Sequence, residues 1–352
     1  MNKSTNQTWT LLQKHGIVQG KQPEHKAPDA PWYVKVLLAF SGWLAALFIL
    51  GFIGTAFASV FRNSEVACIV GALMIVGAFV QLRLSVNEFV EHTGLATSMA
   101  GQVLLAFAIF DFSDHNKVMA WLLLVALQAV LVVLMRSFIH RVFSTIAASV
   151  ALAMALYEMQ IPDVIGGILL FAASWCWLNE FRYPQLMPQI RAIGYGLVLA
   201  LVSHKALSLF GYRSFGHELL AKHAALSHPW LGEALIGVVT IYVAWRVLHR
   251  YGQPLKSRLS MTTLLATLLI SLVSLNVQGI TVGMVIIVFG FLGANRILFG
   301  LGIASLLFYI SSYYYLLDTT LLAKSQSLLV TGLILLFVRW VMQYIIPTHN
   351  EA

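Results

Sequence analysis

The chain has 352 residues, of which 59% are hydrophobic and only 10% are charged, and its formal net charge is +8. A soluble domain carries about 25% charged residues because its surface faces water, so this composition excludes a soluble globular protein of this length. The basic residues stand in short connections between apolar runs. That placement is typical of membrane topology and argues against a nucleic-acid-binding surface.

The first 35 residues are polar and are predicted to form a cytoplasmic tail, residues 1–35. Within it, Thr8 to His15 predicts a short amphipathic helix that ends at Gly16. A linker rich in proline and charge follows, from Lys21 to Pro31. We expect no cleavable signal peptide in front of the first apolar run, so that run is itself the expected targeting signal.

Two runs without a charged residue assign the chain to the membrane class: Val36 to Phe61, and Ile297 to Leu317. A helix that crosses the hydrocarbon core of a bilayer needs about 20 apolar residues, and each run supplies them. With ten further apolar runs, the sequence predicts an all-α polytopic transmembrane helix bundle of about twelve spans within residues 36–346. The approximate bounds are 36–61, 66–82, 94–110, 118–135, 142–157, 164–179, 190–210, 230–248, 259–275, 280–295, 297–317 and 326–346.

The runs at 190–210 and 230–248 are the weakest of the twelve. His204 and Lys205 interrupt the first, and Glu233 interrupts the second. If only one of them crossed, the basic cluster from Arg246 to Arg258 would lie outside, against the positive-inside bias. Either both cross or neither does, which gives twelve spans or ten, and we predict twelve.

The distribution of positive charge sets the predicted orientation. With the amino terminus in the cytoplasm, twelve spans place sixteen of the 22 Lys and Arg residues on the inner side and six on the outer side. This asymmetry has the sign that the positive-inside rule requires. Both termini are therefore predicted to be cytoplasmic, the carboxyl end as a tail at residues 347–352.

The longest connection, about Gly211 to Pro229, contains the dipeptide His217-Glu218 and two further histidines. A zincin motif places its second histidine four residues after the first, and that position is Ala221. No metal site and no cofactor is therefore expected. The sequence also shows no nucleophile elbow, Walker loop or paired-carboxylate motif, so we predict that the protein is not an enzyme.

A stripe of small polar residues runs along the predicted segment 259–275, and glycines recur in the next segment. Residues three or four apart share a helix face, small residues let membrane helices approach closely, and hydroxyl groups bond across such contacts. Close helix packing explains both patterns, and a water-lined solute path is the alternative. The polar residues are Ser260, Thr263, Thr267, Ser271 and Ser274, and the glycines are Gly279, Gly283, Gly290 and Gly293.

Charged residues in the middle of a membrane often mark transport pathways. Here the carboxylates, among them Glu233 and Asp318, fall near the ends of the predicted segments. This distribution counts against an ion-coupled pump. The deeper polar side chains are Gln102 and Gln128, for which we expect hydrogen bonds between helices.

The outer end of segment 297–317 is a candidate element for partner docking or gating. Three consecutive tyrosines, Tyr313, Tyr314 and Tyr315, precede Asp318 and Lys324. Neighbouring helix positions are rotated by about 100°, so at least one tyrosine should point away from lipid, and Asp318 can pair with Lys324 across the turn. An aromatic belt with an exposed ion pair is the plainer interpretation.

Three stretches carry a resemblance to a known family. They read LLQKHGIV from Leu11, PWYVKVLLAFSGWLAALFILGFIG from Pro31 and SSYYYLLDTTLLAKSQSLLVTGLILL from Ser311. In that order they resemble the short leading helix, the opening and the closing block of an uncharacterised bacterial multi-pass membrane family, domain of unknown function 4401. The resemblance runs the length of the chain.

The resemblance implies a bacterial inner-membrane protein with no established activity, cofactor or catalytic residues. Members of the family are often encoded beside a small membrane-anchored protein with a GDYXXLXXY motif, which implies a protein partner. Two classes of function remain open. One is a membrane subunit or scaffold that binds such a partner, which the scarcity of mid-membrane charge favours, and the other is a transporter or channel for a small solute.

Overall fold

The computed structural model describes residues 11–15, 41, 44, 48, 51–52, 63–84, 88–114, 116–214, 229–254, 256–275, 278–316 and 320–345. Apart from a turn at residues 11–14 and isolated positions between 41 and 52, these residues form eleven α-helices, and they contain no β-strand. The helices are α1 (Ser64–Leu84), α2 (Glu88–Phe112), α3 (Lys117–Leu134), α4 (Phe138–Glu158), α5 (Val164–Leu178), α6 (Met187–Ser214), α7 (Pro229–Arg250), α8 (Arg258–Ser274), α9 (Ile280–Leu292), α10 (Arg296–Leu316) and α11 (Leu321–Ile345).

The all-helical prediction is confirmed for the described part of the chain, where each helix overlaps one predicted apolar segment. Six of these helices, α1 to α4, α6 and α7, contain stretches long and apolar enough to cross a membrane. The two weakest segments, 190–210 and 230–248, are among the six. Helices α5, α8 and α9 are shorter, and α10 and α11 are not among the six. The crossing number of twelve therefore stays a prediction.

The predicted tails fall largely outside the described residues. In the range 1–35, residues 11–14 form a helical turn within the predicted helix 8–15, and the range 347–352 is not described. Most of the first predicted segment, 36–61, also lies outside the described part.

Local sequence sets where several helices begin. The side chain of Asn116 accepts a hydrogen bond from the Met119 backbone at 3.1 Å, and the Ser257 hydroxyl accepts one from the Ser260 backbone at 3.1 Å. Both satisfy amide groups that a helix start leaves unpaired. Helix α9 follows Gly279, whose φ of 92° lies in a region that glycine adopts readily.

Small residues bring neighbouring helices to backbone contact. A Cβ atom added at Gly101 of α2 would lie 2.6 Å from the carbonyl oxygen of Gly71 in α1. A Cβ atom added at Gly302 of α10 would lie 2.6 Å from the backbone nitrogen of Ile287 in α9. Beyond these hairpins, α6 packs against α4 and α5, and α7 packs against α5 and α8.

The main apolar core lies where α5, α6, α7 and α9 meet. Leu170, Leu201, Ile236 and Ile286 are fully buried there. The outward faces of the helices carry exposed apolar side chains, such as Leu265 on α8. Extensive exposed apolar surface is typical of contact with lipid.

Candidate functional site

A buried ion pair joins α6 to α7. The Nζ atom of Lys205 lies 2.7 Å from Oε1 of Glu233, and the two side chains are 8% and 0% exposed. Two helices that are apolar enough to cross a membrane therefore each place one charge in the interior of the bundle. Buried charges are costly unless they are paired, and within membrane helices they indicate a functional site by default.

Both oxygens of the Glu233 carboxylate have partners. Oε1 accepts from Lys205, and Oε2 accepts a hydrogen bond from the Ser274 hydroxyl at 3.1 Å. Ser274 is the last residue of α8, so a third helix ends at the pair. These bonds meet the requirement that a buried charge be both paired and hydrogen-bonded.

Glycines at the starts of α5 and α7 make room around the pair. A Cβ atom added at Gly166 would lie 3.1 Å from Cδ1 of Ile236 and 3.7 Å from Cε of Lys205. One added at Gly232 would lie 3.0 Å from the carbonyl oxygen of Asp163, just before α5. The beginnings of α5 and α7 can approach each other here because neither glycine carries a side chain.

Tyr309 of α10 anchors α6 one turn before Lys205. Its hydroxyl donates to the carbonyl oxygen of Val202 at 3.2 Å, and its side chain is fully buried. The ring lies against Gly279, where an added Cβ atom would be 2.7 Å from Cγ of Tyr309. The start of α5 and the end of α8 therefore lie at Lys205 and Glu233, and the start of α9 lies against Tyr309.

Sequence reasoning missed this pair because it treated Lys205 and Glu233 as separate interruptions of two apolar segments. A signal was present, since the two opposite charges lie near the same predicted outer face in consecutive segments. Glu233, which the sequence places near the end of a predicted segment, is fully buried in the structure. The argument against ion coupling therefore loses weight at this position.

A second polar cluster joins α2, α3 and α4. The Nε2 atom of His140 lies 2.8 Å from the Ser98 hydroxyl, and Gln102 Nε2 donates to the same hydroxyl at 3.1 Å. Gln128 Nε2 donates to Gln102 Oε1 at 2.9 Å, which confirms the hydrogen bond predicted between helices. Sequence reasoning missed His140, because it stands beside Arg141 at the predicted cytoplasmic end of a segment, where the positive-inside bias places basic residues.

A second ion pair lies at the other end of α6. Arg191 pairs with Glu180, which is buried in the turn after α5, whereas the Arg191 side chain is 40% exposed. One turn further, the Tyr195 hydroxyl donates to Asn295 Oδ1 at 2.9 Å in the connection between α9 and α10. Helix α6 therefore carries one ion pair at position 191 and another at position 205.

The predicted polar stripe lies on α8, where its serines are buried and its threonines are half-buried. Thr267 Oγ1 donates to the carbonyl oxygen of Thr263 at 2.8 Å, and Ser271 Oγ donates to that of Thr267 at 2.8 Å. The expectation of hydroxyl bonds across the helix contact is wrong for Thr267 and Ser271, because both bond within their own helix. Ser274 bonds to another helix, but to Glu233 of α7 and not to the glycine-containing α9.

The serine stripe and the glycine pattern face different helices. Ser271 of α8 lies against Gly237 of α7, where an added Cβ atom would be 3.1 Å from Cβ of Ser271. Gly283 of α9 lies against Leu306 of α10, where an added Cβ atom would be 3.0 Å from Cα of Leu306. Close packing accounts for these two contacts, and the water-lined path stays an untested alternative.

We expect Thr267→Ala to be tolerated, because it removes one hydrogen bond within its own helix, and even bonds between membrane helices average only about 0.6 kcal/mol. Gly283→Leu is the contrasting variant, since overpacking a helix contact costs about 1–3 kcal/mol. The amount of folded protein and its unfolding in detergent measure both. If Thr267→Ala instead abolished a cellular phenotype at an unchanged protein level, the water-lined path would gain support.

The candidate docking or gating element at the end of α10 stays a prediction. Tyr314 and Tyr315 are exposed, and their ring centroids lie 5.7 Å apart in an edge-to-face arrangement. The other members lie outside the described residues or have side chains that are not described: Tyr313, Asp318 and Lys324.

Within the described part of the chain, no group of three or more His, Cys, Asp or Glu side chains is arranged to hold a metal ion. The dipeptide His217-Glu218 lies outside that part. Cys68 and Cys176 are both free.

Comparison with known proteins relates most of the chain to one family. Residues 31–345 match the family model described as Domain of unknown function (DUF4401). No curated protein and no solved structure matches the chain.

Proposed function

Because the chain belongs to the DUF4401 family, and the resemblance to that family implies a multi-pass membrane protein, we propose that it is an inner-membrane subunit or scaffold without enzymatic activity. Its proposed partner is a small membrane-anchored protein with a GDYXXLXXY motif. The gene association implied by the family resemblance supports this partner.

The pairing of polar groups inside the bundle is the observation that carries the proposal. Gln128 bonds to Gln102, His140 bonds to Ser98, and Tyr195 bonds to Asn295. Glycines bring α1 to α2 and α9 to α10 at backbone distance. A bundle whose polar groups bind one another is suited to a stable framework for a partner.

Co-purification tests the partner. When the two proteins are expressed together, affinity purification of this chain in mild detergent should recover the small protein in a fixed ratio. An unrelated single-span protein at the same level serves as the control and should be absent. If the purified chain brought down neither the small protein nor the control, or equal amounts of both, the main support for the subunit proposal would be lost.

The proposed topology has twelve spans with both termini in the cytoplasm. Its support is the sixteen-to-six distribution of basic residues, together with helices at 187–214 and 229–250 that are both apolar enough to cross.

Cysteine labelling checks this topology after Cys68 and Cys176 are replaced. A cysteine at Thr320 or beside Asp114 should react with a membrane-impermeant reagent in intact cells, whereas one at Gln253 should react only after permeabilisation. Asp114, Thr320 and Gln253 are exposed, so burial does not prevent the reaction. Labelling of Gln253 from outside would contradict the twelve-span arrangement.

A transporter or channel for a small solute is the second candidate, and the buried Lys205–Glu233 pair is the observation that favours it. Mass spectrometry of the gently solubilised protein separates the two candidates. A small molecule that co-purifies would favour transport, and a stoichiometric protein would favour the subunit.

A further inference from the structure

We propose that Glu233 is the carboxylate of an exchange site for a small monovalent cation, a proton or a sodium ion, and that the Lys205 ammonium group is the built-in occupant of that site. This goes beyond the subunit proposal and stands independently of it.

The surroundings of Glu233 provide one further oxygen ligand and the end of a helix. Its carboxylate lies 3.1 Å from the Ser274 hydroxyl, and Ser274 ends α8. The last carbonyl groups of a helix lack partners within it and carry partial negative charge. Oxygen ligands suit hard cations, and helix C-terminal ends help to hold sodium ions and protons in membrane transporters.

The charge of the site selects a monovalent occupant. Glu233 provides one negative charge, and Lys205 neutralises it with one positive charge at 2.7 Å. Among the described residues, no additional acidic, histidine or cysteine side chain completes a metal-binding group there. A second positive charge would therefore lie uncompensated in the interior.

The length of three helices brings this site within reach of water. Helices α5, α8 and α9 have 15, 17 and 13 residues. At about 1.5 Å per residue they are about 20–26 Å long, which is less than the hydrocarbon core of about 30 Å. The start of α5 and the end of α8 lie at Lys205 and Glu233, and we infer that water reaches the pair where these short helices end.

Lys205 and Glu233 differ in exposure, and this difference suggests how a cation can replace the lysine. The Lys205 side chain keeps 8% of its surface exposed, whereas Glu233 keeps none. When the carboxylate takes a proton from hydronium, leaving water, or binds a sodium ion, Lys205 loses its counter-charge. An unpaired ammonium group in the interior is costly, and the flexible lysine side chain can carry it outward to the interface.

The other titratable groups around the pair are few. His204 neighbours Lys205 on α6, Tyr309 of α10 bonds to Val202, and Asp163 precedes α5 with its backbone against Gly232. The last turn of α8 and the first turn of α9 contain no acid or base. A test must therefore separate Glu233 from His204, Tyr309 and Asp163.

Amine modification of Lys205 provides that test. The full-length protein in lipid nanodiscs is treated with a water-soluble amine reagent, and mass spectrometry gives the ratio of modified Lys205 to modified Lys117. Lys117 is 67% exposed, so it reports the intrinsic effect of pH on amine reactivity. If sodium is the cation, the ratio should rise several-fold when sodium chloride replaces choline chloride at constant pH. If the proton is the cation, the ratio should rise several-fold as the pH falls without sodium.

A ratio that stays low in both series would overturn the proposal, and so would one that is high throughout in the unaltered protein. Glu233→Gln should give a high ratio of modified Lys205 to modified Lys117 that changes with neither the sodium concentration nor the pH. Glu180→Gln, which removes the carboxylate of the other ion pair of α6, should respond like the unaltered protein.

Ser274→Ala keeps the test decisive if Glu233→Gln does not fold. It removes an oxygen ligand, so the sodium response should move to a higher sodium concentration. It also removes a hydrogen bond to the carboxylate, so the midpoint of a proton response should change as well. An unchanged midpoint in the responding series would show that Glu233 and Ser274 do not form the site.

Discussion

Lys205→Met alone should destabilise the protein by about 3–5 kcal/mol, because it leaves the Glu233 carboxylate buried without its partner charge. The double variant Lys205→Met with Glu233→Leu should recover most of that loss, since a buried ion pair and a well-packed apolar pair of similar volume are often close in stability. Unfolding of the purified protein in mixed micelles, followed by tryptophan fluorescence in choline chloride without sodium, measures both.

Lys117→Met is the matched control for the loss of one lysine charge. Lys117 Nζ lies 3.9 Å from Glu158 Oε1, and both side chains are more exposed than those of the buried pair. An exposed ion pair contributes at most about 1 kcal/mol. If Lys205→Met cost no more than Lys117→Met, the interior placement of the Lys205 charge would be refuted.

Gly302→Ala should cost about 1–3 kcal/mol, which is the range for overpacking a tight contact. The added Cβ atom would lie 2.6 Å from the backbone nitrogen of Ile287 and 2.8 Å from its Cγ1. Because one of the obstructing atoms is backbone, α9 and α10 must move apart to accept the methyl group. The same unfolding measurement detects the change.

Gly300→Ala provides the control two residues away on the same helix. An added Cβ atom there meets nothing within 4 Å, so only helix propensity acts, which favours alanine by up to about 1 kcal/mol. We expect Gly300→Ala to leave stability unchanged or raise it. Equal losses at both positions would show that the contact with Ile287 is not what limits Gly302.

The positions of the helices could be predicted from the sequence because the bilayer requires long apolar runs. The predicted segment 118–135 corresponds to Lys117–Leu134, and 164–179 corresponds to Val164–Leu178. Local capping supports the first of these, since Asn116 caps the start of α3. Hydropathy and capping each depend on residues within a single segment, so both can be evaluated directly from the sequence.

The contacts between helices could not be predicted in the same way. Helix α8 is apolar around much of its circumference, so its composition does not show which neighbour its polar stripe will meet. The stripe faces α7 through Ser271, whereas the glycines of the next segment face α10 through Gly283. Likewise, the pairing of Lys205 with Glu233 depends on how α6 and α7 are rotated about their axes, which one-dimensional hydropathy does not contain.

The Lys205–Glu233 pair also constrains how this part of the chain is integrated during synthesis. A lysine makes insertion of a lone helix less favourable by about 2.5–3.5 kcal/mol at the helix centre and by less near its end, where Lys205 lies. For α6 this penalty is relieved once α7 emerges from the ribosome and supplies Glu233. We therefore expect α6 to be retained at the insertion machinery until α7 arrives, and the two helices to enter the lipid together.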